Sequence, residues 1–121
     1  MAKRILIVDD SASVRQVAGM ALTRAGYEVV EAVDGQDGLA KLTGKLHLII
    51  SDVNMPRLDG IGFLKAVKAN PAYKFTPVIM LTTEAGEEKK NEGRSAGAKA
   101  WIIKPFQPQT MLDAVSKLVL P

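Results

Sequence analysis

Cysteine is absent from this 121-residue chain, and its absence excludes several kinds of site. Without thiols the protein has no disulfide scaffold, no thiolate metal site and no cysteine nucleophile. Long hydrophobic runs are absent too: the longest hold four to six residues, whereas a helix needs roughly 20 to cross a bilayer. The amino terminus turns acidic after only four apolar residues and does not resemble a signal peptide. We therefore expect a cytoplasmic protein without membrane insertion.

Neither sign of charge is in large excess. Sixteen Lys and Arg residues stand against 13 Asp and Glu residues, for a net charge of +3, and the basic residues are scattered along the chain. This distribution gives little reason to expect direct nucleic-acid binding. Apolar residues make up 47% and charged residues 24% of the chain, as is typical of globular proteins. The length suits a single domain over residues 1–121, with no linker and no added output domain.

Five short apolar runs rich in Ile and Val predict five β-strands. Most runs are continuous rather than alternating, which is typical of strands buried on both faces of a parallel sheet. The second run alternates more and fits a strand near an edge. The third contains the only histidine, His47, which we interpret as a packed side chain rather than a ligand. The predicted strands are Ile5–Val8, Tyr27–Val30, Leu46–Ile50, Val78–Leu81 and Trp101–Ile103.

Five helical patterns alternate with these runs. The first is the stripe Val14–Ala25, capped by Ser11 or Ser13 and ended by Gly26. The second is capped by Asp34 and closed by Gly44. The others are Gly60–Ala69, Ala85–Ala98 and Met111–Val119. The fourth pattern is highly charged and has only small apolar side chains, so we expect it to be the least firmly packed. Strand–helix units of about 24 residues, repeated five times, predict an open, doubly wound α/β fold with a parallel sheet. A closed eight-fold barrel needs about twice this length.

Polar residues follow four of the predicted strands. The first is followed by Asp9 and Asp10, the third by Asp52, the fourth by Thr82 and the fifth by Lys104. Each signal alone is weak, because aspartates after strands often form turns or helix caps. Since the carboxyl ends of parallel strands share one edge of the sheet, we expect all these groups to converge in a single ligand site.

Charge and donor type indicate what this site binds. Three carboxylates and one ammonium leave a net charge of −2, which a dication relieves. Oxygen ligands, with no His or Cys at hand, favour a hard ion such as Mg²⁺, which commonly bridges carboxylates to phosphate. A carboxylate can attack a phosphoryl group and form an acyl phosphate. Asp52, on the predicted central strand, is the best candidate nucleophile, while Lys104 and Thr82 are placed to stabilise the phosphoryl oxygens.

Four spaced motifs carry a family resemblance over essentially the whole chain. They are ILIVDDS at the first strand, SDVNMPRLDG around Asp52, LTT at the fourth strand and WIIKPF near the end. With these motifs the sequence resembles the receiver domain of two-component response regulators, in particular single-domain chemotaxis regulators of the CheY type. The resemblance implies a flavodoxin-like sheet of order 2-1-3-4-5 and a cis peptide bond between Lys104 and Pro105.

The resemblance also implies roles for the acidic residues. Asp52 is expected to be the phosphoacceptor. Asp10, Asp52 and the backbone carbonyl of Asn54 are expected to bind Mg²⁺, with Asp9 assisting largely through water.

Switching and tuning roles follow from the same resemblance. Thr82 is expected to be the switch hydroxyl and Lys104 the ammonium that pairs with phosphate. Trp101 occupies the position of the switch aromatic, where Tyr or Phe is usual. Thr83 stands where a smaller residue is common, and Asn54 and Glu84 occupy positions that tune self-hydrolysis. The chain is thus expected to assist its own phosphorylation and dephosphorylation without being an enzyme toward external substrates.

The implied partners are a histidine kinase and a downstream protein target. The kinase donates the phosphoryl group. The face formed by the fourth helix, fifth strand and fifth helix then changes its binding to the flagellar motor switch or another effector, in chemotaxis or a related motility system.

Other functions share this chemistry. A phosphorelay intermediate differs only in its partner. A phosphatase of the haloacid dehalogenase type also uses an aspartyl phosphate, but it expects a second acid where this chain has Asn54. A pseudo-receiver carries no phosphate, and the intact set of acids with Lys104 argues against it.

Overall fold

The computed structural model describes residues 3–53, 55, 58–82, 91–92 and 94–119. Five parallel strands form one sheet in the order β2-β1-β3-β4-β5, as the resemblance implied. The strands are β1 (Arg4–Val8), β2 (Glu28–Ala32), β3 (Leu48–Asp52), β4 (Val78–Thr82) and β5 (Ala100–Ile103). The helices with assigned bounds are α1 (Ala12–Arg24), α2 (Gly35–Ala40), α3 (Gly60–Ala69) and the C-terminal helix (Pro108–Leu118).

The predicted fourth helix is described only in part. Residues 91–92 and 94–95 are helical, and this stretch ends at Gly97, which has a φ of 111°. Residues 83–90 and 93 lie outside the described residues, so the expectation of loose packing there stays a prediction. Within the described ranges, no helix combines the length and the apolar character that a membrane span requires.

Two predicted strands were placed too early: the third begins two residues later than predicted and the second one residue later. Leu46 is buried, yet it lies in the loop before β3, so the apolar run is longer than the hydrogen-bonded strand. His47, predicted to lie inside the third strand, also precedes it. Its backbone N–H donates to the carbonyl of Arg4 at 2.8 Å, and its Nδ1 accepts from the Arg4 N–H at 3.0 Å. β2 likewise begins at Glu28 rather than Tyr27 and extends to Ala32.

Side-chain caps fix where the helices begin. Ser11 Oγ accepts from the N–H of Val14 at 3.3 Å, which settles the choice of cap for α1. Asp34 caps α2 as predicted. However, α2 ends at Ala40, well before Gly44.

The sheet separates two apolar cores, because successive side chains of a strand point to opposite faces. On one face Leu6 and Ile49 pack with Phe63 and Val67 of α3. On the other, Ile7 and Ile50 pack beneath α1 and the C-terminal helix. Burial on both faces explains why the strands read as continuous apolar runs.

Candidate active site

Three carboxylates converge at the carboxyl edge of the sheet. Asp9 follows β1, Asp10 is next to it, and Asp52 ends β3, where Val8 and Ser51 are paired in register. One oxygen from each carboxylate lies within 4.8 Å of the others. Asp9 and Asp52 are buried, at 0% and 4% exposure, whereas Asp10 is exposed.

Lys104 joins this cluster from the loop after β5. Its Nζ lies 3.0 Å from Asp9 Oδ2 and 3.1 Å from Asp52 Oδ1. Its backbone N–H donates to the carbonyl of Thr82 at 2.7 Å. The peptide bond between Lys104 and Pro105 is cis, as expected. The structure therefore brings Asp9, Asp52 and Lys104 into direct contact, although they are far apart in the sequence.

The electrostatics of the cluster follow from burial and crowding. Burial raises the pKa of Asp52, and the nearby charge of Asp9 raises it further, although Lys104 opposes both effects. Burial alone would lower the pKa of Lys104. Hydrogen bonds and attraction from Asp9 and Asp52 outweigh that effect and raise the pKa instead. Lys104 therefore stays charged between the two acids.

Asp9 is held from several directions. Its Oδ1 accepts the Ser11 N–H at 2.8 Å, and its own N–H donates to the carbonyl of Ala32 at 3.1 Å. Arg15 Nη1 donates to the Asp9 carbonyl at 2.6 Å, while Arg15 Nε lies 3.3 Å from Glu31 Oε1. The sequence interpretation missed Arg15, since an arginine on an exposed helical stripe carries no sign of such a contact.

Gly60 makes room for the backbone of Asp52. Its N–H donates to the carbonyl of Val53 at 2.8 Å. A Cβ at this position would lie 2.0 Å from the Asp52 carbonyl oxygen, a separation that side chains do not tolerate. The sequence predicts Gly60 only as the start of a helix, whereas the structure shows that glycine is required here, beside the candidate nucleophile.

The two predicted switch residues occupy different surroundings. Thr82 ends β4 and is fully buried. Trp101, in β5, is half-buried and packs against the core on the α3 face of the sheet, and its Nε1 is buried with no hydrogen-bond partner among the described residues. The three predicted tuning residues, Asn54, Thr83 and Glu84, lie outside the described residues.

The donor set fits a hard dication. Three carboxylates carry −3 and Lys104 returns +1, so the cluster keeps a net charge of −2. Its donors are oxygens, as Mg²⁺ prefers. Asp10, exposed at the rim, keeps the cluster open to solvent.

Known proteins resemble this chain in both sequence and structure. The family described as response regulator receiver domain matches residues 5–116. Protein PilG of Pseudomonas aeruginosa is 38% identical over 113 residues, which cover 93% of this chain and 84% of that protein. Chemotaxis protein CheY1 of Helicobacter pylori is 38% identical over 113 residues, 91% of each chain. The solved structure of chemotaxis protein CheY4 of Vibrio cholerae has a TM-score of 0.93 at 48% identity, covering 98% of this chain and 99% of its own.

Proposed function

This chain belongs to the response regulator receiver domain family, and from that premise we propose that it is a two-component signalling switch whose Asp52 accepts a phosphoryl group. One observation carries the proposal most directly. Lys104 Nζ bridges Asp9 at 3.0 Å and Asp52 at 3.1 Å, beside the exposed carboxylate of Asp10. A buried carboxylate held by a cation, with a second acid open to solvent, is suited to in-line attack on a charged group.

The transfer proceeds from a phosphohistidine of a histidine kinase. An Asp52 oxygen attacks the phosphorus atom as the bond from phosphorus to the imidazole nitrogen breaks. The electron pair of that bond leaves with the imidazole, and Asp52 becomes an acyl phosphate. Lys104, which already contacts Asp52, stabilises the added phosphoryl charge of about −1.5 to −2. The Thr82 hydroxyl contributes a further hydrogen bond to the phosphoryl oxygens.

Asp9, Asp10 and Asp52 would hold a Mg²⁺ ion together with the backbone carbonyl of Asn54. The bound ion supplies positive charge that lets an anionic phosphoryl donor approach an acidic pocket. Because these groups also position water near Asp52, the chain assists both its own phosphorylation and its own dephosphorylation.

The predicted fourth helix, β5 and the C-terminal helix form one face of the protein. Phosphorylation favours the active conformation of this face over the inactive one. Thr82 moves toward the phosphoryl group, and Trp101 turns into the space that it leaves. Trp101 lines a groove of about 450 Å³ with Asp113 and Lys117 of the C-terminal helix, so its movement changes the shape of this face. Its Nε1 has no acceptor among the described residues, so rotation breaks no hydrogen bond that they provide.

We place the protein in the cytoplasm, in chemotaxis or a related motility system, because relatives of similar length are described as chemotaxis proteins. Its effector is then a protein such as the flagellar motor switch. A phosphorelay intermediate would share the chemistry and differ in passing the phosphoryl group to a second histidine.

Mass measurement of the intact protein tests the acceptor. With Mg²⁺ and acetyl phosphate the wild type should gain one phosphoryl group, and Asp52→Asn should gain none. Asp113→Asn is the matched control, because it makes the same change on the exposed surface of the C-terminal helix. Labelling of Asp52→Asn at the wild-type level would refute the proposal, as would rapid turnover of external phosphoesters.

A further inference from the structure

The amino edge of the sheet, opposite the acidic cluster, gathers lysines that are scattered in the sequence. Lys3, Lys45, Lys74 and Lys99 lie in the segments that enter β1, β3, β4 and β5. These strands are adjacent, and neighbouring strands lie about 4.8 Å apart. The four strands that these lysines precede therefore span about 14 Å of this edge, which is three strand spacings. We call these four residues the lysine row.

Contacts between the segments support this placement. The Tyr73 hydroxyl donates to the carbonyl of Gly44 at 2.7 Å, so the loop carrying Lys74 lies against the loop carrying Lys45. The charges are also close enough to act on neighbours. Lys3 and Lys45 both help to lower the pKa of His47, after the larger effect of burial, and Lys99 acts in the same way on Lys68.

Few acids accompany the row; one is Asp113 of the C-terminal helix, which lines the same groove as Lys99. The described segments that enter the five strands, residues 3, 25–27, 41–47, 70–77 and 96–99, contain no Asp or Glu. Glu28, the first residue of β2, already pairs with Arg4 at 3.8 Å. Lys45, Lys74 and Lys99 are exposed.

Helix capping does not account for the row. The carboxyl ends of helices attract cations, and Arg24, Lys68 and Lys117 occupy the last turns of three helices in this way. The lysine row lies outside these turns, in the segments that enter the strands. Its charges therefore have no structural partner of that kind.

An exposed aromatic stands beside the row on a firmly held loop. Phe75 is 86% exposed, and the Lys74 ammonium lies 5.0 Å from its ring centroid. Lys68 Nζ fixes the loop on both sides of Phe75 by donating to the carbonyls of Lys74 at 3.2 Å and Thr76 at 2.6 Å. Because the backbone on both sides of Phe75 is already held, this loop loses little further entropy on binding, which makes Phe75 a suitable anchor for a partner.

We propose that the lysine row and Phe75 form a docking surface for an acidic amphipathic helix of a partner protein. Acids at i, i+4 and i+7 of a helix lie about 5–6 Å apart along one face, close to the strand spacing that sets the row. An apolar residue beside them on the same helix contacts Phe75. Lys68 and Lys117, at adjoining helix ends, add positive charge beside the row. Phe75 offers a single exposed aromatic ring next to these charges, which suits one apolar side chain of an amphipathic helix.

Binding of a designed probe tests the proposal without knowledge of the natural partner. The probe is a helical peptide with glutamates on three successive turns of one face and a leucine beside them. A second peptide of the same composition distributes the glutamates around the helix. We expect the full chain to bind the first peptide about tenfold more tightly. Amide shifts in nuclear magnetic resonance spectra should centre on Lys45, Lys74, Phe75 and Lys99.

Substitutions test whether the patterned peptide binds at the lysine row and Phe75. Phe75→Ala, and separately the triple change Lys45→Gln, Lys74→Gln and Lys99→Gln, should each weaken binding about tenfold. A matched pair of single changes controls for lost charge. Lys74→Gln should weaken binding about threefold, whereas Lys65→Gln, at an exposed position in the middle of α3, should weaken it by less than about 1.5-fold.

Three results would overturn the proposal. They are equal binding of the two peptides, equal effects of Lys74→Gln and Lys65→Gln, and tighter binding of a poly-dT oligonucleotide or of phosphatidylserine vesicles than of the patterned peptide. The last result would assign the edge to nucleic acid or to lipid.

Discussion

Lys104 Nζ lies 3.1 Å from Asp52 Oδ1, in an ion pair whose side chains are only 14% and 6% exposed. The same ammonium reaches Asp9, whose side chain is fully buried. Lys104 therefore separates two acids that would otherwise repel each other in a poorly solvated pocket. The stability of the acidic cluster depends on positive charge from this ammonium and from a bound dication.

Lys104→Met should destabilise the metal-free protein by about 3–5 kcal/mol, because it leaves Asp9 and Asp52 buried without their cation. Mg²⁺ should then raise the melting temperature more in the variant than in the wild type, since the ion replaces the lost charge. Thermal unfolding with and without Mg²⁺ measures both effects. Lys65→Met, at an exposed position of α3, should change stability by less than about 0.5 kcal/mol. Equal losses in the two variants would contradict this account of the pair.

Trp101 should report metal binding, because it lies in β5 three residues before Lys104. Titration with Mg²⁺ should change its emission in a saturable way, and a beryllofluoride phosphate mimic should change it further. Asp10→Asn should weaken the Mg²⁺ response about tenfold or more by removing a charged ligand. Unchanged emission at saturating Mg²⁺ would argue against a metal site at this edge.

Gly60→Ala should destabilise the protein by about 1–3 kcal/mol, because the added methyl group meets the Asp52 carbonyl and cannot be accommodated without moving it. The same displacement should slow phosphorylation by acetyl phosphate. Gly19→Ala is the matched control within α1. Its added Cβ would meet only ordinary contacts, 3.8 Å from Glu31 and 3.9 Å from Val29. It should stabilise the helix by about 0.5–1 kcal/mol. Urea unfolding that ranks the two variants equally would refute this reading of Gly60.

Stability should fall below neutral pH partly through His47. Burial lowers the pKa of His47 in the folded state, and Lys3 and Lys45 lower it further. The unfolded chain therefore binds a proton first, so this contribution is complete above the ordinary value of 6.5 and declines as pH falls toward the folded pKa. Urea unfolding from about pH 8 to pH 5 should show a smaller decline in His47→Asn, which keeps an acceptor near the Arg4 N–H. Identical pH profiles would contradict the prediction.

Much of the fold was predictable because buried parallel strands carry their signal in short apolar runs. The first and last residues of the strands and helices were predicted less well, because a residue can be buried without belonging to a hydrogen-bonded element. Leu46 is buried in a loop, so the run that it begins does not mark the start of β3. α2 ends early because the amides of Leu42 and Thr43 donate to carbonyls only three and two residues back, instead of the four that a helix requires.

The convergence of Asp9, Asp52 and Lys104 was predictable from sheet topology alone, since each follows or ends a parallel strand. Contacts between residues of different helices and strands, such as the two that follow, were not predictable in this way. Arg15 contacts the Asp9 carbonyl from α1, and Gly60 faces the Asp52 carbonyl from α3. Neither leaves a periodic signal in the sequence. The lysine row was likewise invisible, because its members are far apart until the sheet aligns them.

The most direct test of the central claim locates the phosphoryl group chemically. After incubation with Mg²⁺ and acetyl phosphate, borohydride reduces an aspartyl phosphate to homoserine, and peptide sequencing by mass spectrometry identifies the position. We predict homoserine at residue 52 alone, and none when Mg²⁺ is withheld. Homoserine at Asp9 or Asp10, or a phosphoryl group on a hydroxyl side chain with residue 52 unchanged, would contradict the account.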